Sequence, residues 1–145
     1  MALRGLSGKK INLGNFTANR PGMNEFICRA AGPITTPDSE PFENFIRKAF
    51  LDELRIADVY SPTASTVLTG NLNEIGFSSL LSEWDVSLTV ASSNGKTLTV
   101  VEKYEAPRNF NSSAACNLIA QTLVPAVQDL IGKVVNHPDF RGLLD

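Results

Sequence analysis

Cysteine occurs twice in this 145-residue chain, histidine and tryptophan once each, and charged side chains make up only 19% of it. Each scarcity excludes something. Two cysteines 88 positions apart and one histidine do not form a zinc site at any familiar ligand spacing. A Ser-His-Asp triad could only run through His137, which lies in "NHPDF", and no G-x-S-x-G is present to supply its nucleophile. No P-loop occurs, and no G-x-G-x-x-G opens a helix. The one polar cluster on offer is His137, Asp139 and Arg141, past a helix end, where a structural or surface role is expected. Catalytic, cofactor-binding and metal-ligating residues are therefore all expected to be none, and the chain is expected not to be an enzyme.

Other shortages bound the class. No apolar run approaches the roughly 18 residues of a membrane span, and no repeat or low-complexity tract appears. The start, "MALRGLSGKK", lacks the apolar h-region of a signal peptide and is expected to be a flexible tether remnant, left after a targeting segment is removed. Net charge is −2, which gives no electrostatic reason for nucleic-acid binding. Arg4, Lys9, Lys10 and Arg20 make the N-terminal segment basic, as a solvated leader would be. What is plentiful is apolar residues, at 43%. That is enough for one cored domain over 1–145, with 1–10 as the tether.

The patterning names the elements. "KKINLGNF" alternates Ile11, Leu13 and, less cleanly, Phe16, while "NEFICRAA" puts Phe26, Cys28 and Ala30 on one side, so both are short strand candidates. Asp38 or Ser39 is placed to cap a helix over 39–58, whose stripe is Phe42, Phe45, Ile46, Ala49, Phe50, Leu54 and Ala57. Arg47, Lys48, Asp52, Glu53 and Arg55 fall on its solvated side, and Pro62 forbids continuation.

Three strands follow. Leu68 and Leu72 share one phase and Ile75 and Phe77 the other, which predicts a bulge near Asn73-Glu74. "EWDVSLTVA" alternates cleanly, with Trp84, Val86, Leu88 and Val90 facing one way. Asn94-Gly95 then predicts a two-residue type I′ hairpin into "KTLTVVEKYEA", with Leu98, Val100 and Tyr104 in phase. Residues 111–140 read as one long helix, capped by Ser112 or Ser113, with Cys116, Ile119, Ala120, Leu123, Val127, Leu130, Ile131 and Val134 as its stripe. Pro125 removes the bond to the Gln121 carbonyl and should kink it.

The expected class is α+β: a two-layer sandwich with two amphipathic helices on one face of a mainly antiparallel sheet of four to five strands. Asp85, Ser87, Thr89, Thr97, Thr99 and Lys103 would line the sheet's wet face, a candidate partner surface. The sequons Asn15-Phe16-Thr17 and Asn111-Ser112-Ser113 matter only in a eukaryotic secretory protein.

With "LTGNLNEIGFSS", the "W-x-V-x-L-x-V-x-S-S-N-G" strand and a long closing helix ending in "HPDF", the region 38–144 resembles small Gram-negative envelope lipoproteins. These are the YajG-like proteins, the auxiliary lipoproteins of ABC transport systems and the LptE-like group. The resemblance is one of topology and style. It implies a periplasmic domain tethered to the outer membrane by an N-terminal lipid, with a binding or assembly role and either a protein partner or a lipid-like amphiphile. The lipobox cysteine of such families is missing from the start of this chain. Two other readings stand beside it: a small ligand-binding domain or enzyme with a pocket between sheet and helices, and a cytosolic module that oligomerises through a sheet edge.

The cysteines carry the sharpest expectation. Cys28 sits in a strand candidate and Cys116 on the apolar stripe of the closing helix, so a Cys28–Cys116 disulfide would staple the irregular N-terminal segment to the most apolar helix. Such a bond presumes an oxidising compartment. The alternative is two buried free thiols acting as small hydrophobes.

Overall fold

The computed structural model describes residues 9–28, 32–78, 82–106 and 112–145, apart from the side chains of residues 32 and 112–115. Ala30, Asn111, the hydroxyls of Ser112 and Ser113 and most of the 1–10 tether lie outside what is described. The order is β1 (Asn12–Ala18), β2 (Glu25–Cys28), β3 (Gly32–Thr35), α1 (Phe42–Ile56), β4 (Val67–Ser78), β5 (Glu83–Ser92), β6 (Thr97–Glu105), α2 (Ser112–Gln121) and α3 (Leu123–Val135). A four-stranded sheet runs β1-β4-β5-β6, and β2 and β3 form a separate small hairpin. The fold is α+β with a mainly antiparallel sheet: β4–β5–β6 is an antiparallel meander, and β1 pairs with β4 in parallel. That parallel pair is possible because the β2–β3 hairpin and α1 return the chain to the end where β1 began.

Each strand buries one phase. Leu68 and Leu72 before the bulge, Ile75 after it, Trp84, Val86, Leu88 and Val90, and Leu98 and Val100 share a core with Phe42, Ile46, Phe50 and Leu54 of α1 and Leu130, Ile131 and Val134 of α3. The predicted bulge is present, since Leu72 pairs with Leu88 but Glu74 with Ser87, leaving Asn73 as the extra residue. A second bulge lies between Leu13 and Phe16, and it explains how residues three apart are both buried in β1. The guanidinium of Arg47 serves it: Nε donates to the Gly14 carbonyl at 2.7 Å and Nη2 to the Leu13 carbonyl at 3.0 Å. Arg47 is thus half-buried and fixed, where helix periodicity alone put it in solvent.

Phe16 lies across Gly70, its partner on β4. A Cβ there would come within 2.6 Å of the Phe16 ring. Gly70→Ala should therefore destabilise by about 1–3 kcal/mol through overpacking, and Phe16→Leu in the same chain should recover part of the loss. Urea midpoints of the single and double variants check this.

Four local expectations are corrected. The first helix starts at Phe42 behind Pro41 with no side-chain cap, because Asp38 and Ser39 hold positive φ in a short 3-10 turn (Pro37–Ser39) that precedes it. It stops at Ile56 well before Pro62: Asp58 takes φ 58°, and the Asp58 and Val59 N–H groups bond back to the Arg55 and Leu54 carbonyls, both at 3.0 Å. The β5–β6 hairpin exists, but only Gly95 has positive φ, so its turn is not type I′. Ser92 N–H donates to the Lys96 carbonyl at 2.9 Å, enclosing a three-residue loop with Gly95 in the left-handed position. Finally, the closing helix is two helices, α2 and α3, broken at Thr122. The Pro125 ring cannot share space with the Gln121 carbonyl, and the strain is released as a break rather than a bend.

Candidate functional site

The hairpin and the broken helix meet in one aromatic cluster. Phe26 of β2 stacks near Phe42 of α1 at 5.1 Å between centroids, Phe77 of β4 at 5.3 Å and Trp84 of β5 at 5.9 Å. Trp84 is fully buried, so its indole N–H needs an acceptor inside. It finds two at the helix break: the Ile119 carbonyl at 3.1 Å and Thr122 Oγ1 at 3.0 Å. The Ile119 carbonyl also accepts from the Thr122 N–H and hydroxyl. The sequence signal for a kink therefore marks the place where the single tryptophan is anchored.

Cys28 ends β2 and Cys116 lies in α2, and the two form a disulfide with their Cα atoms 6.0 Å apart. Both are buried. The same hairpin is tied at its root, where Phe42 N–H donates to the Met23 carbonyl at 2.9 Å. The staple thus joins the small β2–β3 sheet to α2.

The opposite sheet face is open and polar. The predicted wet-face residues are brought together: Asp85 pairs with Lys103, Thr89 with Thr99, and Thr97 with Ala91, while Ser87 lies beside Val101. A chain of side-chain hydrogen bonds crosses all four strands. Thr17 Oγ1 donates to Asn71 Oδ1 (2.9 Å), and Asn71 Nδ2 to Asn73 Oδ1 (2.8 Å). Asn73 Nδ2 donates to Thr89 Oγ1 (2.9 Å), which shares a 2.7 Å bond with Thr99 Oγ1. Asn73, freed from backbone pairing by the bulge, is the hub. Below it the face dips into an open depression of about 480 Å³ lined by Glu74, Gly76, Phe77, Ser78, Glu83, Asp85 and Ser87. Gly76 leaves its floor clear, and three carboxylates make it acidic. Such a surface can hold a cationic segment.

His137, Asp139 and Arg141 fall in one turn after α3. His137 Nδ1 accepts from the Asp139 N–H at 3.1 Å, and Asp139 Oδ2 stands 3.9 Å from the same nitrogen. The imidazole closes a local turn there. Among the described residues no group of histidine, cysteine, aspartate and glutamate could hold a metal ion, and no helix is long and apolar enough to cross a membrane.

Sequence reasoning passed over one cluster. Glu102 of β6 sits in the inward phase with Leu98 and Val100 and is fully buried. Its Oε1 accepts from Lys133 Nζ at 2.6 Å, while Oε2 has no donor. Burial pushes the Glu102 carboxyl up from its ordinary range, the neighbouring Asp129 carboxyl pushes it the same way, and Lys133 opposes both. The Lys133 ammonium is raised in turn, chiefly by its bond to Glu102. The legible signal was an acid in the buried phase of a strand, facing a helix that carries Asp and Lys four residues apart.

No protein-family model matches this chain, and no curated protein matches it.

Proposed function

We propose that this chain is a non-catalytic binding or assembly domain of the bacterial cell envelope, periplasmic and held at the outer membrane by an N-terminal lipid in its full-length form. On this reading the molecule is a two-layer sandwich, with the three helices as one layer and the four-stranded sheet as the other. The helical layer closes the apolar side, and the sheet's polar face meets a protein partner through a basic segment seated in the acidic depression.

The observation that carries the reading is this asymmetry of the sheet. One face is filled by a continuous core. The other presents an ordered lattice of Asn, Ser and Thr beside Glu74, Glu83 and Asp85. Ordered polar side chains lose little conformational entropy when a partner docks, which favours binding. The Cys28–Cys116 bond supports an oxidising compartment.

Photo-crosslinking in living cells tests it. A benzoylphenylalanine placed at Asp85 or Thr99 should yield a discrete protein adduct that is lost on charge reversal of Glu74 and Glu83. The same probe at Arg55, on the exposed side of α1, should not. Equal adducts from both faces, or none from the sheet, would remove the sheet face as the binding surface.

A further inference from the structure

Behind the β4 bulge lies a cavity of about 10 Å³, room for one group the size of a water molecule. Met23, Phe42, Leu72 and Ile75 make its walls apolar, and Arg20 and Glu74 line it as well. Glu43, in the first turn of α1, completes the lining and is only 7% exposed. The Gly22 N–H donates to Glu43 Oε2 at 3.1 Å, from a turn in which Gly22 holds a φ of 80°. Oε1 is buried and meets no donor. Among the described residues no cation forms an ion pair with Glu43.

A carboxylate oxygen accepts and cannot donate, so Oε1 is completed by a donor, and best by a cationic one. Left alone among apolar walls it is costly. The chain's own candidate falls short. Arg20 Nη2 stands 3.5 Å from the Ile75 carbonyl, which is long for a hydrogen bond. Its planar guanidinium is also too broad for the space of one water, whereas an ammonium is compact. The three donors of an ammonium suit the acceptors at hand: Glu43 Oε1 inside, with Glu74 and the Ile75 carbonyl beside it. Glu74 lines the acidic depression of the sheet face too, so the cavity and the depression share a wall.

We propose that this cavity is a primary-ammonium site, with Glu43 as its buried acceptor and Arg20 as the rim group that an incoming ammonium displaces. Its ligand is a lysine side chain of the partner's basic segment, an identification that rests on the proposed binding role. The segment lies in the depression, and one lysine turns past Glu74 to end on Glu43.

n-Butylammonium chloride carries the lysine side chain without its backbone and probes the site with no partner present. Titrated into the wild-type protein at constant ionic strength, it should shift the NMR signals of the Gly22 amide and the Glu43 side-chain carboxyl. The shifts should saturate at roughly millimolar amine, the range open to so small a ligand. n-Butylguanidinium should need at least about tenfold more, and sodium chloride should leave both signals in place. Glu43→Gln should abolish saturation. Arg20→Ala removes a like charge from the rim and should lower the midpoint severalfold. Should Glu43→Gln fail to fold, the Arg20→Ala midpoint and the guanidinium comparison still decide. Shifts that never saturate, that sodium reproduces, or that guanidinium gives at equal concentration would overturn the site. Sheet-face adducts in cells without butylammonium binding would remove the site and leave the binding role standing. Butylammonium binding without sheet-face adducts would remove the partner's lysine as the ligand.

Discussion

Opening the Cys28–Cys116 disulfide should lower stability by about 4–5 kcal/mol on the chain-entropy model for an 88-residue separation. The bond acts mainly on the unfolded chain, by denying it the conformations in which the two cysteines are far apart. It acts on the fold as well. The β2–β3 hairpin has strands of four residues each and no ladder to the main sheet, so it cannot persist alone. Without the staple, the hairpin keeps its root bonds through Met23 and Gly22, the buried Ile34, and the ring contacts of Phe26 with Phe42, Phe77 and Trp84. Guanidinium titrations with and without reductant, and of the Cys28→Ser/Cys116→Ser double variant, give the number. A change within about 1 kcal/mol would show the hairpin to be docked by its noncovalent contacts without help from the staple.

Trp84→Ala is expected to be the most damaging single substitution in the core, at about 3–5 kcal/mol. Three effects converge on it. The side chain is fully buried at the meeting of the hairpin, β4 and β5. Its removal leaves a cavity that four different elements would have to collapse into. It also takes away the donor to the carbonyl exposed at the α2–α3 break. Trp84→Phe keeps much of the volume and loses the N–H, so its effect should be smaller, with about 0.5–1.5 kcal/mol traceable to the lost hydrogen bond, because the Ile119 carbonyl still accepts from Thr122. Val101→Ala, at an exposed position of the neighbouring strand, should stay within about 0.5 kcal/mol and serves as the control. Urea midpoints of the three variants order these effects. If Trp84→Phe matched Trp84→Ala, the loss would come from the hydrogen bonds rather than from the packing.

Much of this architecture could be read from residue order. Alternation from Trp84 to Val90 settled which face of β5 is buried, and the phase change between Leu72 and Ile75 located the bulge that frees Asn73. The stripe of α1 and the wet-face set also came through. Strand direction did not, because a period of two fixes faces and carries no information about whether β1 runs with or against β4. The N-terminus and end of α1 were misplaced for a related reason: Asp38, Ser39 and Asp58 adopt positive φ through tertiary context, and Asp is only mildly biased toward it. Arg47 was misjudged because a bulge in β1, more than thirty residues away, supplies its acceptors. In the candidate site, the polar lattice was visible as a face, while its hub, Asn73, follows from the bulge. Glu102 was legible as an acid in an apolar phase, but its partners sit on a helix whose register against β6 no local pattern fixes.

The proposed envelope location rests on the closed staple, whose state in the cell can be weighed. Protein taken from its native cells, quenched in acid, alkylated in denaturant without reductant and analysed by mass should carry no alkyl group, and after reduction it should carry two. Two alkyl groups before reduction would mean that Cys28 and Cys116 are free thiols in the cell, and both the staple and the envelope assignment would be contradicted.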